Sequence, residues 1–220
     1  MDYETALDTI FSISEEILAY EEAHMEFKTS RLVQRMVRTA EAIDADSLEK
    51  LEERADVYDM AGGSSYLSSR RKLAAKYYEK AFDCECAAFE KYNGSEDAVL
   101  DRLYNAVVAR NNIADDECTD LKSRAKKYVS SDKVNSVVKE AIRTGRDRYL
   151  YDKVELTQEY LDVIDKVEER VYNHLCNESG GKLDVKKMFP HRYWREKKRF
   201  LKAAGIDWKT PAEMNPGTRF

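Results

Sequence analysis

The sequence predicts an all-α protein: an irregular antiparallel helical bundle, or a short repeat-like helical array, ending in a basic module. Apolar residues recur at three- and four-residue spacing through most of the 220 residues. Only 8 Gly and 3 Pro punctuate the chain, and no segment alternates with period two between turn residues. Charged residues make up 36% and hydrophobic residues 43%, the balance of amphipathic helices rather than of disorder.

Taken in order, residues 5–26 predict an amphipathic helix with Leu7, Ile10, Phe11, Ile17, Leu18 and Met25 on its buried side. Thr29 or Ser30 is placed to cap a second helix carrying Leu32, Val33, Met36, Val37, Ala40 and Ile43. Asp46 followed by Glu49 has capping-box spacing for a third helix, which Gly62-Gly63 is expected to stop. A fourth helix spans 66–92 and ends at Asn93-Gly94, and Ser95 caps a fifth with Val99, Leu103, Ala106 and Val107. A sixth, over 115–129, is followed by a seventh with Val134, Val137, Val138, Ala141 and Ile142, terminated by Gly145. Residues 147–177 read as one long helix, with Tyr160, Ile164, Val167, Val171 and Leu175 on one side. The run 177–181, Asn-Glu-Ser-Gly-Gly, marks the boundary between a mostly acidic body (1–179) and a basic module (180–208). A short helix over 182–189 and a basic helix over 190–205 build that module, and residues 209–220 are expected to be irregular.

Charge is unevenly distributed. Residues 182–202 carry +7, leaving −12 for the remainder of a chain whose net charge is −5. Such asymmetry points to a polyanion or an acidic partner for the basic end. No apolar run approaches the ~18–20 residues that span a bilayer. The first residues are acidic where a signal peptide is basic. A cytoplasmic chain without a membrane partner is therefore expected, and its four cysteines should be reduced thiols.

In residues 55–81, Tyr58, Gly62, Ala74, Tyr78 and Ala81 follow an aromatic–small–small–bulky–small spacing, echoed weakly by Ala106, Cys118 and Ala125. The stretch resembles a tetratricopeptide repeat, with the repeat-like pair near 55–92. That resemblance implies a surface for binding protein, and an irregular bundle remains the alternative. Two units have the spacing of metal ligands. Glu21 and His24 form a Glu-x-x-His unit, half of what a carboxylate-bridged di-iron bundle needs; the alternative is a solvated polar face. Glu53 and Asp56 form a Glu-x-x-Asp pair. Their surroundings resemble the second metal-binding helix of all-α nucleotide pyrophosphohydrolases of the MazG type, which implies magnesium. No Glu-x-x-Glu pair accompanies it. The sequence contains no phosphate loop or nucleophile elbow, and no cofactor or catalytic residue is assigned.

Within 190–205, Pro190 and Gly205 punctuate a helix with opposed arcs. Arg192, Arg195, Lys198, Arg199 and Lys202 share one arc; Tyr193, Trp194, Phe200, Leu201 and Ala204 share the other. Lys197 falls among the apolar residues and is expected to snorkel outward. Together with the short helix before it, this is a helix-turn-helix-like layout. Arg192 and Arg195 would face base edges, and Lys186, Lys187, Lys198, Arg199 and Lys202 would face phosphates. The run Tyr193-Trp194-Arg195, then Leu201, then Gly205-Ile206-Asp207 resembles the C-terminal end of filamentous-phage and plasmid replication proteins (gene II/X type). The resemblance covers about 30 residues and implies nucleic-acid binding alone, because the paired histidines of the nicking domain have no counterpart among His24, His174 and His191. The expectation is a non-enzymatic nucleic-acid-binding accessory protein encoded by a phage or plasmid, with a helical body for assembly or protein contacts. A protein-only helical adaptor and a magnesium-dependent nucleotide pyrophosphohydrolase are the alternatives.

Overall fold

A computed structural model describes residues 2–113, 116–146, 150–179 and 190–218. Its helices are α1 (Tyr3–Glu22), α2 (Ser30–Glu41), α3 (Leu48–Leu67), α4 (Arg71–Tyr92), α5 (Glu96–Ile113), α6 (Thr119–Ala125), α7 (Ser131–Arg146), α8 (Gln158–Glu178), α9 (Pro190–Ala203) and α10 (Pro211–Met214). No strand occurs among the described residues, so the all-α class holds. None of the described helices is long and apolar enough to cross a membrane.

Side-chain chemistry sets many of the helix ends. Asp2 accepts from the Thr5 N–H at 2.9 Å and Ser95 from the Ala98 N–H at 3.3 Å. Ser47, rather than Asp46, caps α3 by accepting from the Lys50 N–H at 3.3 Å, while Asp46 pairs with the Lys50 ammonium at 2.7 Å. Asn93 closes α4 in the left-handed region, at φ 56°. Gly205 closes α9 at φ 83°, with Ile206 N–H donating to Leu201 C=O at 2.9 Å and Gly205 N–H to Lys202 C=O at 3.0 Å. This is the six-to-one and five-to-two closure that favours glycine at that position.

Several expected boundaries move. Gly62-Gly63 does not stop α3. Gly62 is buried inside the helix, where a Cβ would lie 3.0 Å from the Tyr78 ring, so the glycine serves the close crossing of α3 on α4. The turn comes instead at Ser68-Ser69, with Ser69 at φ 61°, and α4 begins at Arg71 rather than at residue 66. Gly145 likewise lies within α7, where a Cβ would approach the Asn111 Cβ of α5 to 2.6 Å. The single helix expected over 147–177 is not continuous: a 3-10 turn at Lys153–Leu156 precedes α8, which Thr157 caps. Helix α1 ends at Glu22, and its residues Phe11 and Leu18 are exposed rather than buried. The tail is not wholly irregular, because Thr210 and Glu213 form a capping box around α10.

Three apolar cores follow one another along the chain. Ile13, Ile17, Val33, Met36, Val37, Tyr58 and Tyr77 tie α1–α4 together. Phe82, Val99, Leu103, Val107, Leu121, Val134 and Val138 tie α4–α7. Tyr160, Ile164, Val171, Leu175, Leu201, Ile206 and Trp208 unite α8, α9 and the segment after α9. The core that holds the basic helix therefore includes α8. Each fully buried large apolar side chain contributes roughly 1.5–3 kcal/mol, which places Trp208, 2% exposed, among the anchors of this last unit.

Candidate nucleic-acid interface

Helix α9 docks through its aromatic arc, and the turn between α3 and α4 receives it. Lys197 does not snorkel outward. Its ammonium is buried, 2.7 Å from Glu168 and 3.2 Å from the Ser69 hydroxyl, to which it donates. The rings of Trp208 and Tyr160 lie 5.2 and 5.8 Å away. Burial alone would depress this ammonium. Glu168 and the surrounding Tyr160, Tyr193 and Glu155 outweigh it and hold the group well above the ordinary lysine range. Tyr193 donates its hydroxyl to Glu168 as well, and burial first, then that carboxylate, raise the phenol well above its usual value.

Neighbouring pairs extend the lock. The Trp208 indole N–H donates to Glu155 at 2.8 Å, and the same carboxylate accepts from Arg71, whose guanidinium lies 3.3 Å over the Tyr151 ring. Arg70 grips Asp165 of α8 through two nitrogens at 3.1 and 2.5 Å. A buried pair adds little net stability, but removing one partner strands a charge at a cost of about 3–5 kcal/mol. Ser69, Arg70 and Arg71, consecutive at the α3–α4 turn, thus set where α8 and α9 sit on the rest of the chain.

The outward arc keeps its cations at the surface, and acidic neighbours accompany most of them. Arg192 lies 2.5 Å from Glu178, and Lys198 lies 2.5 Å from Glu213 of α10. Arg195, with 73% of its side chain exposed, and Arg199, with 57%, share the one carboxylate of Glu196 at 3.3 and 2.9 Å. Lys202 is exposed, and among the described residues it has no ion pair. The Arg192 and Lys198 pairs are partly exposed and worth ~0.2–1 kcal/mol each, whereas Glu196, shared by Arg195 and Arg199, is itself buried. Lys186, Lys187 and the short helix expected over 182–189 lie outside the described residues, and with them the middle element of the helix-turn-helix-like layout.

A second cationic face was not singled out from the sequence. Arg31, Arg35 and Arg38 stand exposed along α2, opposite the buried Val33, Met36, Val37 and Ala40. The same 100° projection that sorts α9 separates these residues too, but the acidic composition of the body draws attention away from them.

The metal-ligand spacings do not become clusters. His24 lies beyond the end of α1 at φ 55°, so it no longer shares a helical face with Glu21, and it faces Glu26 at 3.7 Å. Glu53 accepts from the Tyr3 hydroxyl and Asp56 pairs with Arg102, each engaged separately. Among the described residues, no group of three or more His, Cys, Asp or Glu side chains is placed to hold a metal ion. All four cysteines are free thiols, and burial pushes Cys84 and Cys118 up to about 11 and Cys86 up to about 12, away from the reactive thiolate. Comparison with family models, curated proteins and solved structures finds no match.

Proposed function

We propose that the chain is a non-enzymatic nucleic-acid-binding accessory protein whose helical body supplies protein contacts. One observation carries the reading. On a chain of net charge −5, α9 holds Arg195, Arg199 and Lys202 on one exposed face with a single carboxylate among them, while the buried Lys197–Glu168 pair anchors its opposite face. Arginine forks and lysine ammoniums on a rigid helix suit phosphodiester oxygens, and Arg192 and Arg195 also suit base edges. The resemblance of 193–207 to the C-terminal end of phage and plasmid replication proteins supports the same reading and a phage or plasmid origin.

Retention on DNA-cellulose at low salt tests it. The wild-type chain should be retained and the Arg195→Glu/Arg199→Glu variant should elute in the wash. Equal retention of the two proteins sinks the role of α9.

A second reading rests on the close α3–α4 crossing, where Gly62 lies against Tyr78 and Ala74 and Ala81 are fully buried. Those are the tetratricopeptide-like positions, and a protein-only adaptor would use such a surface. A wild-type chain that ignores DNA and RNA at low salt favours the adaptor.

A further inference from the structure

Helix α2 bears a charge pattern that folding alone does not explain. Arg31 and Arg35 are four residues apart and Arg35 and Arg38 three, so all three guanidiniums lie along one side of a 12-residue helix. Like charges at these spacings destabilise a helix by about 0.2–0.5 kcal/mol per pair. Elsewhere half-buried arginines find carboxylates, as Arg102 does with Asp56 and Asp59 and Arg110 with Asp116 and Asp120, while the exposed Arg170 has no ion pair among the described residues. Among the described residues none of the three α2 arginines has an ion pair. The one acid within a turn, Glu41, is engaged by Lys80 at 2.6 Å and by the Tyr58 hydroxyl at 2.8 Å. The row is exposed and edges a shallow cleft of about 570 Å³ that Gln34 and Thr39 also line. Its other side is anchored by Val33, Met36, Val37 and Ala40, so the guanidiniums project from a fixed backbone.

From this row of arginines, without an ion pair among the described residues of a chain of negative net charge, we infer a second nucleic-acid contact, at which Arg31, Arg35 and Arg38 bind neighbouring backbone phosphates. Seven residues of helix advance the row by about 10 Å. A reach of that length, extended by three long side chains, lets the row follow neighbouring phosphates of one strand. All three positions are arginine, whose planar fork matches phosphate oxygens in pairs where a lysine offers a point charge. Gln34, between the first two arginines, adds a neutral donor to phosphate or sugar oxygens. The inference rests on the nucleic-acid reading and extends it from one face to two.

The test is fluorescence anisotropy with a 20-base-pair duplex across a salt series, comparing wild type, Arg31→Gln/Arg35→Gln/Arg38→Gln and Arg195→Glu/Arg199→Glu. Each lost phosphate contact lowers the slope of log K on log salt by about 0.9, so the α2 variant should lose about 2.7 from its slope. Its helical circular dichroism should match wild type, because the substitutions relieve like-charge repulsion on an exposed face. The single variant Arg35→Gln, with a loss of about 0.9, provides the same reading should the triple variant misfold. An unchanged slope in the α2 variant, beside a lowered one in the α9 variant, overturns the second contact and leaves the nucleic-acid reading standing. A wild-type chain that binds no duplex or single strand at low salt overturns both. An α2 variant that loses only binding to an acidic peptide assigns the row to protein instead.

Discussion

Lys197 illustrates how one buried charge positions a surface. Its ammonium and the Tyr193 hydroxyl both engage Glu168 beneath α9, within reach of Ser69 from the α3–α4 turn. Replacing Lys197 with Met keeps much of the volume and strands Glu168, at a cost of about 3–5 kcal/mol. At about 2–4 °C per kcal/mol for a chain of this size, Tm should drop by about 6–20 °C, read by thermal denaturation. Adding Glu168→Gln to that variant removes the stranded charge and should restore most of the loss; a double variant no more stable than the single one would show that the pair is not what holds α9. This arrangement was not legible in the sequence. The helical projection puts Lys197 on the apolar arc, but its partner lies on another helix, and a lysine there reads as a snorkelling side chain. Trp208 escaped for a related reason: it lies past the glycine that ends α9, and its buried partner Glu155 is far away along the chain.

At the scale of elements, the glycines divide by their surroundings. Gly205 was legible because a lone glycine after a periodic apolar run, with Ile206 following, has the chemistry of a helix stop. Gly62 and Gly145 carry the same local signal and mean something else, since each lies inside a helix at a crossing. Only the packing of a second helix distinguishes the two uses. The contrast is testable at two sites. Gly145→Ala gains about 1 kcal/mol of helix propensity, but its Cβ meets the Asn111 Cβ at 2.6 Å. Overpacking of this kind costs about 1–3 kcal/mol, so the variant should be less stable than wild type in urea. Gly63→Ala meets nothing nearer than the Tyr78 hydroxyl at 3.6 Å and should be more stable, by about 0.4–1 kcal/mol. A stabilised Gly145→Ala would contradict the close approach of α5 and α7. The existence of α1–α9 was legible from three- and four-residue spacing, and that of α10 was not. The breaks at Ser68-Ser69 and before α8 were not, because neither carries Gly or Pro within it.

Across the whole molecule, composition located charge but not its partners. The +7 of residues 182–202 marks the basic end, yet folding brings Glu178 and Glu213 against that surface. The −12 elsewhere conceals α2, where among the described residues three arginines stand without a carboxylate. Three successive cores, with α8 keyed to the α3–α4 turn by the Arg70–Asp165 pair and α9 by the Lys197–Ser69 hydrogen bond, make a frame that presents both cationic faces from packed helices. The most direct measurement is the affinity of the wild-type chain for duplex and single-stranded oligonucleotides between about 50 and 200 mM salt, where log K falls by about 0.9 per phosphate neutralised on a duplex. With Arg195, Arg199 and Lys202 of α9 and Arg31, Arg35 and Arg38 of α2 as the phosphate contacts, the predicted duplex slope is about −5, and the three of α9 acting alone predict about −3. A slope near zero, or no binding at the low end of that range, contradicts the account.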